Sequence, residues 1–100
     1  RYYHLYPKYE LNKGFADFFF KPSLSVPVLP PFTYLLEVKY AKAGASEKEI
    51  RILADEARGQ LLRYSEDELV AEARAKGELK LITIVWRSWE LALLEEVTLS

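Results

Sequence analysis

The sequence predicts an α/β domain, a mixed sheet of about five strands with helix packed on it. Three observations carry that reading. Aromatic and β-branched runs mark three strands before residue 41 and two after residue 78. Between them, apolar residues recur at helical spacing. The chain has 100 residues, half of them apolar, which suffices for one core but not for two. A single domain over 1–100 is therefore expected.

The elements follow in order. Tyr2 to Leu11 is aromatic-rich and reads as a strand, with Pro7 suggesting an edge or a bend. Asn12 to Gly14, "NKG", is a turn signal. Phe15 to Phe20, "FADFFF", reads as the second strand, and the proline-rich Lys21 to Pro31 as a stiff loop. Phe32 to Tyr40, "FTYLLEVKY", reads as a central third strand. Ser46 and Glu49 then fit the capping box S-x-x-E. Ile50, Leu53, Ala54, Ala57 and Leu61 continue it as a helical stripe. Ser65 and Glu68 repeat the cap signal, so a second short helix is expected over Glu66 to Lys76, stopped by Gly77. Leu79 to Trp86 is the fourth strand, Arg87 and Ser88 a tight connection, and Trp89 to Val97 the fifth strand. Trp86 and Trp89 flank that hairpin, where aromatic packing at a sheet edge is expected ahead of stacking on bases.

Composition narrows the chemistry. Without cysteine there is no disulfide framework and no thiolate metal site, which permits a cytoplasmic setting, the location expected here. The single histidine, His4, leaves little room for a histidine-rich zinc site or a Ser-His-Asp triad. No apolar run approaches the ~20 residues that span a bilayer, so no membrane partner is expected. The chain has no methionine and begins "RYYHLY", which suggests a C-terminal piece of a longer protein. The formal net charge is −1, but residues 1–42 carry six basic against three acidic side chains. A polyanion would meet that half more readily than the acidic remainder.

One constellation carries chemistry. Side chains alternate along a strand, so Glu37 and Lys39 share one face while Tyr34, Leu36, Val38 and Tyr40 share the other. Asp17 interrupts the apolar run of the preceding strand. If those strands pair, Asp17 approaches Glu37 across the ladder. Two carboxylates on an apolar sheet repel, and a hard divalent cation such as Mg²⁺ relieves the repulsion. The Lys39 ammonium would then hold a water or stabilise charge at phosphorus. On the helix, Gln60 and Tyr64 are four apart and share a face, Tyr64 within the apolar stripe and Gln60 at its edge.

The order Gly14-x-x-Asp17, Glu37-x-Lys39, Gln60-x-x-x-Tyr64 resembles the PD-(D/E)XK nuclease superfamily, and its Q-x-x-x-Y element the RecB-like branch. The likeness extends to the nuclease-superfamily domain found C-terminal to an AAA-ATPase-like domain in Bacteroidetes proteins. It covers nearly the whole chain, through "YELNKGFADFFF", "YLLEVKY", "ARGQLLRY" and "VWRSWELALLEEV". It implies a restriction-endonuclease-like fold, with Asp17, Glu37 and the Val38 carbonyl holding Mg²⁺ or Mn²⁺. Lys39 would position the attacking water, and Gln60 and Tyr64 would support the site or contact the nucleic-acid backbone. Glu10 would supply a further carboxylate. Position 16, proline in the family signature, is alanine here, and the helix that usually precedes the first strand is expected to lie in the missing N-terminal part.

The resemblance implies metal-dependent hydrolysis of phosphodiester bonds in DNA, or in RNA. The implied partners are nucleic acid and an AAA-ATPase-like domain of the same longer chain. The alternative is an inactive module of the same fold that binds nucleic acid or a protein partner for that ATPase-like domain.

Overall fold

The computed structural model describes the backbone of residues 3–11, 14–22 and 32–99 and the side chains of residues 32–99. Residues 12–13 of the expected turn and 23–31 of the proline-rich loop lie outside it. The elements are β1 (Tyr3–Leu11), β2 (Gly14–Pro22), β3 (Thr33–Ala41), α1 (Glu47–Tyr64), a 3-10 turn (Glu68–Val70), α2 (Ala71–Ala75), β4 (Leu79–Arg87) and β5 (Glu90–Val97). They form the mixed α/β architecture that the sequence predicts.

The strands lie in the order β1-β2-β3-β4-β5. β3 and β4 are parallel, and the other neighbours are antiparallel. A parallel pair needs a long crossover, and the helical segment from Glu47 to Ala75 supplies it. Lys21 and Pro22, expected in the loop, belong to β2 instead. β1 reaches back to Tyr3, and its register pairs His4 with Lys21 and Tyr3 with Pro22.

Helix α1 starts where the cap signal predicts. The Glu49 amide donates to Ser46 Oγ at 3.1 Å, and the Ser46 amide donates to Glu49 Oε1 at 3.2 Å. Two otherwise free donors are thereby satisfied. Ser46→Ala is expected to destabilise the fold by about 1 kcal/mol, read from urea unfolding. An unchanged midpoint would show that the cap contributes nothing to stability.

The second helix departs from expectation. Ser65 caps the end of α1, and its hydroxyl donates to the Leu62 carbonyl at 2.6 Å. Asp67, not Ser65, opens the next turn by accepting from the Leu69 amide at 2.8 Å. The helical run is a 3-10 turn followed by five residues of α2. A carboxylate accepts amide hydrogens more strongly than a hydroxyl, so Asp67 outcompetes Ser65. Gly77 has φ +70°, the left-handed conformation that glycine adopts without strain.

The β4–β5 turn is also displaced by one residue. Arg87 pairs with Glu90, so the two central residues are Ser88 and Trp89, with Ser88 at φ 56°. A positive φ at the first central residue suits the twist of a two-residue hairpin. Trp89 therefore sits at the turn and is 96% exposed, not packed at the sheet edge.

α1 covers one sheet face with Ile50, Ala54, Ala57, Leu61 and Tyr64. The core beneath it is in two parts. One joins Leu35, Leu61, Tyr64, Val70, Leu79, Leu81 and Val97. The other joins Ala45, Ile50, Ala54 and Val85. At the open side, Arg51 of α1 grips Glu95 of β5 with both guanidinium nitrogens, at 3.3 and 3.0 Å. This contact holds the Glu95 carboxyl below its ordinary value and the guanidinium above its own. A lowered carboxyl stabilises the fold above the unfolded glutamate value and loses that contribution as pH falls through the folded value. Glu95→Gln should thus lower the melting temperature slightly at neutral pH, and the difference should vanish in acid. Equal melting at neutral pH would remove any role for the pair. Among the described residues no helix is long and apolar enough to cross a membrane.

Candidate functional site

A polar row crosses the helix-covered face between the two core clusters. On β3 the inward residues are Thr33, Leu35 and Glu37, all buried. Glu37 stands beside Thr83 in the β3–β4 register, and Thr83 beside Glu95 in the β4–β5 register. Leu81 and Val85, on either side of Thr83 on that face, belong to different clusters. Ala57 is likewise fully buried, between Ala54 of one cluster and Leu61 of the other. The row thus passes under the part of α1 with the smallest inward side chains.

The register extends the row towards β2. Phe18 pairs with Leu36, Phe19 with Leu35 and Phe20 with Tyr34. One step further along both strands stand Asp17 and Glu37. Directly opposed positions of an antiparallel pair share a face, so position 17 falls on the face of Glu37. Glu10 pairs with Phe15, which places it on that face too, two positions along from Asp17.

Glu37 is only 5% exposed. Its Oε2 lies 4.0 Å from Lys39 Nζ, and the lysine side chain is itself largely covered. Burying a carboxylate costs several kcal/mol by order of magnitude, so an ammonium alongside is the compensation such a strand requires. Alternation puts both charges on one side of the strand.

Lys39 opens into a cleft of about 420 Å³ between β3 and α1, lined also by Asp55, Glu56, Gly59, Gln60 and Arg63. Gln60 and Lys39 are therefore brought together. Gln60 Oε1 is buried and has no hydrogen-bond partner among the described residues. Tyr64, one turn on, goes elsewhere: it is buried in the first cluster with Leu35 and Leu61. Gln60 thus faces the cleft, while Tyr64 anchors the helix that carries it. The Val38 side chain alternates to the opposite face, which leaves only its backbone near Glu37.

The buried Glu37 carboxylate is a donor of the kind a hard divalent cation takes. The β2–β3 pairing runs to Phe18 and Leu36, one position short of Asp17 and Glu37, and Glu37 is buried with Lys39 Nζ 4.0 Å from its Oε2. Carboxylate oxygens are the donors that Mg²⁺ or Mn²⁺ favours. Among the described residues no group of three or more His, Cys, Asp or Glu side chains is placed to hold a metal ion, at Glu37 or elsewhere.

Two features were not drawn from the sequence. Thr83 is fully buried in the polar row, and its signal was present: it is the one polar residue among the inward positions Leu79, Leu81, Thr83 and Val85. Tyr40, Trp86, Ser88 and Trp89 line an open cleft of about 680 Å³ at the hairpin end of the sheet.

Comparison with curated proteins and with solved structures gave no match. A family model does match, the PD-(D/E)XK nuclease superfamily, over residues 1–96. With nearly its whole length matched, and with a buried glutamate and a lysine on one face of a central strand, this chain belongs to the PD-(D/E)XK nuclease superfamily.

Proposed function

We propose that this chain is the catalytic domain of a metal-dependent nuclease that hydrolyses phosphodiester bonds of DNA. The observation that supports it furthest is the Glu37–Lys39 pair, 4.0 Å apart, with Lys39 opening into the cleft that Gln60 also lines. Superfamily membership supports the reaction class, because such nucleases generally work with divalent metal ions.

Asp17, Glu37 and the Val38 carbonyl would hold Mg²⁺ or Mn²⁺. A cation bound there supplies positive charge at the scissile phosphate and acidifies a bound water. Lys39 orients the attacking water and faces the charge that builds on the phosphate oxygens. Gln60 offers its amide to the nucleic-acid backbone or to that water, and Tyr64 fixes the helix beneath it. Glu10 adds a carboxylate on the same face. The basic excess of residues 1–42 favours a polyanion over that half of the chain. An AAA-ATPase-like domain of the same longer chain would present the DNA.

The test is incubation of the intact protein with labelled DNA and RNA in Mg²⁺, in Mn²⁺ and in EDTA. The reading expects DNA cleavage that EDTA abolishes. Binding to DNA or to a partner without cleavage of any nucleic acid would instead favour the inactive module.

A further inference from the structure

Thr83 is 0% exposed, and its Oγ1 has no hydrogen-bond partner among the described residues. It sits directly beside Glu37 in the parallel β3–β4 register, on the same buried face. A buried hydroxyl left unpaired is costly, and the usual resolution is an ordered water or an ion. Valine has nearly the same shape, and Val85 fills the equivalent inward position two residues on. Position 83 therefore carries a hydroxyl where an apolar residue would pack as well.

The helix residue over this part of the face is small. Ala57 is the small buried residue of α1 between the two clusters that flank Thr83. One turn further along α1, Gln60 Oε1 is a second buried oxygen without a partner among the described residues. A buried water needs two to four polar partners. Two carboxylates stand across the ladders from Thr83: Glu95, exposed and gripped by Arg51, and Glu37, buried on the same face as Thr83.

We propose that Thr83 is a positioning residue for the site: its hydroxyl holds the Glu37 carboxylate through one buried water. The consequence for metal rests on the proposed nuclease function, whereas the water does not. By fixing the carboxylate before a cation arrives, Thr83 would spare the site the cost of ordering it on binding.

Two measurements on the intact protein test this. In metal-free protein, NMR cross-relaxation should detect a long-lived water at the Thr83 side chain. Thr83→Val should lose it and Thr83→Ser keep it. In calorimetry with Mn²⁺, Thr83→Val should bind about tenfold or more weakly than wild type, and Thr83→Ser nearly as well. Thr83→Ala provides the same readouts if the valine variant does not fold. No long-lived water in wild type overturns the proposal, as does equal Mn²⁺ affinity in wild type and Thr83→Val. A wild type that binds no Mn²⁺ ends the metal-dependent reading instead, and the water measurement alone then decides the role of Thr83.

Discussion

Lys39→Ala is expected to lower the rate of DNA cleavage about 10²–10³-fold in saturating Mg²⁺, as loss of one preorganised charge stabiliser does. The Lys39 ammonium has two tasks in the proposed site. In the resting protein it lies 4.0 Å from Glu37 Oε2 and offsets a buried charge. During reaction it faces the phosphate oxygens and the attacking water. The variant removes both, so its stability should fall as well as its rate. Glu37→Gln should also stop cleavage, through loss of a metal ligand, yet it removes the buried charge instead of leaving it without its ammonium neighbour. The double variant separates the tasks: it should regain stability relative to Lys39→Ala and regain no activity. Single-turnover rates together with urea unfolding of all three variants read both effects. Wild-type cleavage by Lys39→Ala would exclude lysine from the reaction.

Leu61→Ala is expected to destabilise the fold by about 2–5 kcal/mol, the range for deleting a buried leucine side chain. Leu61 is fully buried and packs with Leu35, Tyr64, Leu79 and Leu81, which joins α1 to both parallel strands. A domain of this size has roughly 5–15 kcal/mol in all, so this single change consumes a large share. Leu61 also follows Gln60 directly, and a cavity beneath it would let α1 shift and carry Gln60 away from Lys39. Activity should therefore fall even where the variant remains folded. Equilibrium unfolding in urea gives the first number and cleavage below the melting transition the second. A loss under about 1 kcal/mol would mean that the helix is not held by this contact.

Much of the architecture was legible because it rests on short-range periodicity. Alternation placed Glu37 and Lys39 on one face of β3, and the 3.6-residue stripe with its Ser46–Glu49 box placed the start of α1. Where two local signals competed, the sequence was ambiguous. Ser65 and Asp67 both resemble caps, and the stronger acceptor, Asp67, took the role. "RSWE" permits a turn at either of two positions, and the pairing of Arg87 with Glu90 selected Ser88 and Trp89.

The sequence by itself determined the mixed α/β class, the charged strand β3, the helix that covers it and the order of the motif residues. Only the tertiary structure decided which residues meet. The β3–β4 register set Thr83 beside Glu37, and the β2–β3 register ends at Phe18 and Leu36, next to positions 17 and 37. The packing of α1 sent Gln60 to the cleft and Tyr64 to the core. Those choices depend on pairing between strands far apart in the chain. A one-residue slip would turn every side chain to the other face, and only burial of the whole apolar face against α1 prevents it.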